Sequence, residues 1–251
     1  MDVDFEDATS RDFTTTEDIF AAYVQNTYSW EKGLVIAGVR YENTSTDSQA
    51  FEYGSTTKTH ASSDHSFFAP SVNVKYFLND QLQLRAAIWK GLSRPGFLKT
   101  APKIDVSLDT DGSVSGSAGN PRLKPYEAIN YDLSIEFYGE DMTFISAGLF
   151  RKDIKNAIYP TLQTNATYMD VSFNDGVESW INAGDSTING LELNAQYGWD
   201  NGFYVAANAT LTDGESSFTF EDNKTFTTPF RKLADEAANI SVGYDKDRWD
   251  V

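Results

Sequence analysis

The fold is decided by Leu191-Glu192-Leu193-Asn194-Ala195-Gln196-Tyr197-Gly198-Trp199-Asp200-Asn201-Gly202-Phe203-Tyr204-Val205-Ala206-Ala207-Asn208-Ala209-Thr210-Leu211. Leu191, Leu193, Ala195 and Tyr197 alternate with Glu192, Asn194 and Gln196, a period of two that gives one apolar and one polar face. The alternation resumes at Phe203, Val205, Ala207, Ala209 and Leu211, after an Asn201-Gly202 step that favours a tight hairpin turn. Two antiparallel strands are predicted here. The same unit recurs upstream: Tyr131, Leu133, Ile135 and Phe137 run into Gly139-Glu140-Asp141, and Val72, Val74, Tyr76 and Leu78 run through Asn79-Asp80 into Leu82, Leu84, Ala86 and Ile88. Phe20, Ala22 and Val24 precede a turn at Glu31-Lys32-Gly33, and Ile240, Val242 and Tyr244 precede one at Asp245-Lys246-Asp247. No helical period of comparable strength appears.

The connections alternate in length. Short turns fall near residues 31, 79, 139, 199 and 245, and between them lie long polar stretches, Thr44–His65, Ser93–Pro125, Lys155–Thr187 and Thr212–Glu236. In an up-and-down antiparallel sheet, alternate connections lie at the same end. One end is then all tight turns and the other all long loops. Greek-key crossings in β-sandwiches mix connection lengths, whereas outer-membrane barrels keep this asymmetry. Strands of about 9–13 residues suit the roughly 9–11 tilted residues that cross a bilayer.

Composition is consistent with this and narrows it. The chain has 251 residues, 37 acidic against 20 Lys plus Arg, a net charge of −17 and no Cys. Disulfides and thiolate metal sites are excluded, and the acidity disfavours nucleic acid, whose phosphates would be repelled. No apolar run is long enough for a membrane helix, and Met1 to Asp7 does not read as a signal peptide. The mean hydropathy of −0.43 does not bear on a barrel, because alternating strands average out. In lipid every backbone group must pair with a neighbouring strand, one face must be apolar, and the other can be wet. The Glu192/Asn194/Gln196 and Asp132/Ser134/Glu136 rows read as lumen faces. Tyr28, Trp30, Tyr41, Tyr76, Phe77, Tyr138, Tyr197, Trp199 and Phe203 read as an aromatic girdle at the tight-turn rim. The alternative is a soluble secreted β-sandwich that packs its apolar rows together and binds glycans through its loops.

Several blocks carry a family resemblance: Ser93-Arg94-Pro95-Gly96-Phe97, Gly119-Asn120-Pro121-Arg122-Leu123-Lys124-Pro125-Tyr126-Glu127-Ala128, Gly148-Leu149-Phe150-Arg151-Lys152-Asp153-Ile154-Lys155-Asn156, Asn182-Ala183-Gly184 and Ile188-Asn189-Gly190-Leu191-Glu192-Leu193. In this order the chain resembles the barrel region of TonB-dependent outer-membrane receptors, more narrowly the proteobacterial subgroup linked to oligosaccharide uptake. The resemblance implies an all-β antiparallel transmembrane barrel segment in the bacterial outer membrane, with residues 1–18 a polar lead-in loop and residues 19–251 about nine to ten strands of an incomplete barrel. The family's plug domain, TonB-contacting segment and closing strands have no counterpart in this reading. Implied partners are outer-membrane lipid, the TonB complex through the plug, and a small nutrient, either an oligosaccharide or an iron chelate such as a ferric siderophore. Cobalamin is a further alternative.

Ligand contacts are expected on the long loops, from Phe51, Tyr53, Tyr159, Tyr168, Phe173 and Trp180, whose rings could stack on sugars, and from Arg94. The competing role for the aromatics is packing the loops on one another, and for Arg94 fixing a loop base. No cofactor, metal site or catalytic residue is expected. Asp109-Thr110-Asp111-Gly112-Ser113 lacks the remaining carboxylates of a calcium loop, His60 and His65 have no clustered third ligand, and Gly112-Ser113-Val114-Ser115-Gly116 has Val where a nucleophile elbow needs Ser. Asp132 and Glu136 could share a strand face, as carboxylates on lumen faces routinely do.

Overall fold

A computed structural model describes residues 12–140, 142–168, 170–219, 225–246 and 249–250. The first strands are β1 (Phe13–Trp30), β2 (Gly33–Phe51), β3 (Lys58–Phe77) and β4 (Leu82–Ser93). A helical turn, α1 (Phe97–Thr100), and two short strands, β5 (Ile104–Leu108) and β6 (Val114–Ala118), lead to the long β7 (Tyr126–Tyr138) and β8 (Phe144–Lys155). Short strands follow: β9 (Ile158–Gln163), β10 (Ala166–Tyr168), β11 (Val171–Phe173) and β12 (Gly176–Asn182). The chain then returns to long strands in β13 (Asp185–Gly198), β14 (Phe203–Thr219) and β16 (Glu236–Lys246), with β15 (Thr225–Pro229) beside β14 and a two-residue β17 (Trp249–Asp250).

The long strands form one open antiparallel sheet in the order β1-β2-β3-β4-β7-β8-β13-β14-β16-β17. This is the predicted set of nine strands and the beginning of a tenth. Register makes the two faces explicit. Val35, Val74, Ala86, Leu133, Leu149, Leu191 and Leu211 stand opposite one another on seven successive strands, an unbroken apolar row. On the other face Gln83, Glu136, Ser146, Asn194, Asn208 and Asn239 align in the same way. That polar row is cross-linked: Gln83 donates to Glu136 at 2.6 Å, Asn194 to Ser146 at 3.1 Å and Asn239 to Asn208 at 3.0 Å.

Burial runs opposite to that of a soluble domain. Leu149 is 59% exposed and Ile240 76%, while Gln83 and Glu136 on the polar face are 5% and 9% exposed. Water does not tolerate so large a contiguous apolar surface, and acyl chains do. The apolar rows do not face each other across a double layer, so the sandwich alternative fails.

Several boundaries differ from the sequence reading. Thr44–His65 is not a loop: β2 continues to Phe51 and β3 begins at Lys58, leaving a short turn. Part of the lead-in assigned to residues 1–18 is likewise strand, since Phe13 pairs with Ala50 and Asp18 with Ser45; residues 1–11 lie outside the described residues. In these upper halves Thr, Ser and Asp occupy both faces, so hydrophobic alternation stops although hydrogen-bonded pairing does not. Thr15 and Ser48 share a hydroxyl bond of 2.9 Å in this region. The loop assigned to Thr212–Glu236 begins as strand for the same reason. Three girdle assignments also change. Tyr41 pairs with Ala22, far from the tight turn, and its ring meets Phe68 at a tilt toward the other rim. Phe77 and Tyr138 stand on the polar face, where Lys75 lies over the Phe77 ring and the Tyr138 hydroxyl donates to Glu136.

The long-loop end carries a small folded cap. β5, β6, β12 and β9 form a four-stranded sheet, and β10 pairs with β11. Ile104, Ala118, Phe173 and Val177 make its core, with Val106, Val114, Tyr168, Val171 and Tyr53 packed around them. Tyr53 comes from the turn of the β2–β3 hairpin, so the hairpin tip is docked on the cap.

Candidate ligand pocket

Hydrogen bonds from side chains to backbone knit the cap together and fasten it to the ends of the wall strands β7 and β8. Asn120 donates to the Trp180 carbonyl at 2.7 Å, Asn182 to the carbonyls of Lys124 and Asn156 at 2.9 and 2.8 Å, and Ser179 to the Ala118 carbonyl at 2.9 Å. The Tyr126 hydroxyl, rising from the wall, donates to the Ile158 carbonyl of the cap at 3.1 Å. Gly184, at φ +69°, makes the turn back into β13; a Cβ there would strike the Ser217 carbonyl.

At this junction lies a cavity of about 560 Å³, within the range of small-molecule sites. Its walls come from both layers. Trp89, Asn130 and Lys152 belong to the barrel wall, Tyr159 and Trp180 to the cap, and Lys99 to α1. Phe230, Arg231 and Lys232 close it from the β14–β16 connection. The aromatic rings are held in place. Trp89 donates to Asp132 at 3.1 Å, the Tyr159 hydroxyl bonds the Ser216 hydroxyl, and its ring meets Phe218 edge-on at 4.6 Å. The Lys99 ammonium sits 4.0 Å from the Trp180 ring centre, close enough for cation–π attraction.

The aromatics expected to contact ligand separate into three groups. Tyr159 and Trp180 line the cavity. Tyr53, Tyr168 and Phe173 are instead built into the cap, with Phe173 fully buried, so its ring has no surface to offer a ligand. Their hydrophobic burial explains their presence without a ligand. Phe51 ends β2 under the Lys58 ammonium, away from the cavity.

Arg94 is a brace. Its guanidinium donates to Glu42 at 3.0 Å and to Thr44 at 2.9 Å on β2, and lies 4.0 Å from Glu17 on β1. It thus reaches past β3 across the polar face, at the level where the β3–β4 ladder has already ended with Ser71 opposite Trp89. Pro70, which has no N–H, follows that last pair. A second cavity of about 230 Å³ adjoins Arg94, and its charges are mixed, Glu17 and Asp64 facing Arg122 and Lys124.

Sequence reasoning missed Lys99, Lys152, Arg231 and Lys232. Lys152 was legible in principle, because it shares the parity of Phe150 and Ser146 on the polar face. The others sit in segments without period. Asp111 bonds the Ser113 amide at 2.9 Å and its hydroxyl at 2.6 Å, which makes the Asp109–Ser113 stretch a closed turn between β5 and β6.

Comparison with known proteins fits this architecture. Residues 2–251 match the family described as TonB dependent receptor-like, beta-barrel. No curated protein matches the sequence. Among solved structures, the ferric yersiniabactin uptake receptor FyuA from Yersinia pestis aligns over 94% of this chain and 33% of its own, at 17% identity and a TM-score of 0.63. The siderophore receptor PiuA from Acinetobacter baumannii aligns over 93% and 32%, at 16% identity and a TM-score of 0.66. The copper transporter OprC aligns over 92% and 33%, at 16% identity and a TM-score of 0.66. At such identities the likeness is one of fold, and the chain spans about a third of the length of these structures.

Proposed function

Since this chain belongs to the TonB-dependent receptor-like β-barrel family, whose members are outer-membrane proteins of Gram-negative bacteria, we propose that it forms part of a receptor for active uptake of a scarce small nutrient. The observation that carries this is the inside-out sheet roofed by a cap, with a cavity between them. A greasy outer face anchors the wall in lipid, and a wet inner face lines the path that a cargo would take. Nutrient capture takes place in the cavity, through Tyr159 and Trp180. Energy for release reaches the site from TonB by way of a plug domain seated against the polar face. The chain's role is binding and passage, with no bond made or broken in the cargo.

An oligosaccharide is the first cargo we infer, since rings held as rigidly as Trp89, Tyr159 and Trp180 suit stacking on sugar faces. The second is an iron chelate, favoured by the lysines and arginine that stand beside those rings. Uptake of labelled oligosaccharides and labelled ferric chelates by cells making the receptor, with and without a functional TonB complex, tests the reading. Accumulation that needs both receptor and TonB is expected. Accumulation indifferent to TonB would reduce the protein to a passive pore.

A further inference from the structure

Lys99, Lys152, Arg231 and Lys232 line the 560 Å³ cavity, and among the described residues that line it there is no carboxylate. In a chain of net charge −17 this is a local reversal of sign. Among the described residues none of the four takes part in a salt bridge, although the same fold pairs Arg40, Arg85, Lys90, Arg94, Lys103 and Arg151 with acids. The neighbouring smaller cavity shows the usual arrangement, with acids and bases facing one another. Four like charges converge from α1, β8 and the β14–β16 connection. Lys99 and Lys152 lie over the Trp180 and Phe150 rings, whose faces offset only part of their charge, and low-dielectric walls focus the remaining field into the cavity.

We propose that the cavity takes an anionic ligand that presents oxyanions beside a ring face. The inference rests on the uptake reading above and specifies its cargo class. Oxyanions of the ligand accept charge-assisted hydrogen bonds from the four cations, while Trp89, Tyr159 and Trp180 supply flat apolar surface for its rings. Two kinds of nutrient share this chemistry, oligosaccharides of uronic acids and catecholate iron chelates. A neutral sugar of the same length would leave the cations without partners. The acidity of the rest of the surface then acts as a filter, since an anion held here must be drawn by this site specifically.

The test is titration calorimetry on the detergent-solubilised receptor with two pairs of probes, each a charged ligand and a neutral counterpart of similar size. One pair is tetragalacturonate against maltotetraose, and the other a ferric tris-catecholate against a neutral ferric hydroxamate. The expected result is that the charged member of one pair binds at least about tenfold more tightly than its neutral counterpart, which also identifies the scaffold. Lys152→Gln and Arg231→Gln should each weaken the charged probe about tenfold, roughly 1.4 kcal/mol, without altering the neutral one. Trp180→Ala should weaken both, and Lys32→Gln at the opposite rim neither. Equal binding of charged and neutral members in both pairs overturns the proposal, as does unaltered binding of the charged probe by the lysine and arginine variants. Binding of no probe at all overturns the assignment of the cavity as the capture site, and this inference with it. Neutral binding that Trp180→Ala abolishes would sink the charge inference alone and leave the uptake reading standing.

Discussion

At the scale of single residues, the aromatics of the long loops divide by what their rings touch, and substitution should reveal the division. Phe173→Ala empties the centre of the cap and is expected to cost the cap about 3–5 kcal/mol. Faster hydrogen exchange across β5, β6 and β12 would report it. Trp180→Ala, whose ring lines the cavity, should leave that exchange pattern in place. Arg94→Lys should not restore what Arg94→Ala loses, because Nη2 serves Glu42 and Thr44 on β2 while Nε faces Glu17 on β1, and one ammonium cannot stand in for both nitrogens. Each variant is expected to lower stability by roughly 1–3 kcal/mol, seen as a lower Tm in detergent. Asp111 gives the pH dependence. The Ser113 hydroxyl, and then the Ser113 amide, hold its carboxyl below the ordinary 3.8. A lowered value means that the turn's extra stability is present above 3.8 and lost as pH falls through the folded value. Exchange at the Ser113 amide should therefore quicken only in strong acid, and Asp111→Asn should flatten that response.

At the scale of elements, the alternation that announces the strands also sets the limit of what could be read. Leu191 to Leu211 was unambiguous because one face meets lipid, and lipid enforces a period of two. Above the bilayer that constraint ends, so the Thr- and Ser-rich upper halves of β1, β2 and β3 continue as strand without any periodic sign of it. The cap left even less trace. β10 and β11 are three residues each, too short for a period, and the contacts of Phe173 come from chain segments far apart in sequence. The site was half legible for the same reason: Tyr159 and Trp180 stood out as loop aromatics, whereas Arg231 and Lys232 lie in a stretch with no period to mark them. Parity along β8 yields a sharp contrast. Leu149→Arg, on the apolar row, is expected to destabilise insertion into vesicles by about 2–4 kcal/mol in a urea titration. Ser146→Arg, three residues away on the polar face, should cost far less. At the junction of cap and wall, Gly184→Ala combines a left-handed backbone with a clash against the Ser217 carbonyl, and should sharply reduce the yield of folded protein.

At the scale of the molecule, two kinds of packing coexist. The sheet has almost no interior of its own: its cohesion is the hydrogen-bonded ladder, side-chain links such as Gln83–Glu136 and Asn239–Asn208, and the lipid outside. The cap is a small globule with its own buried core, tied to the sheet through Asn182 and Tyr126. Detergent or lipid is therefore required by one part and not by the other. On dilution below the micelle concentration the whole chain should precipitate, and a light-scattering measurement that finds it monodisperse there would contradict the lipid-facing assignment. Because the roof keeps its own heart of Ile104, Phe173 and Val177, it is a transplantable piece. Rebuilding it need not disturb the shell that meets the fatty acids, so on the uptake reading a change of diet asks nothing new of the part that sits in the membrane.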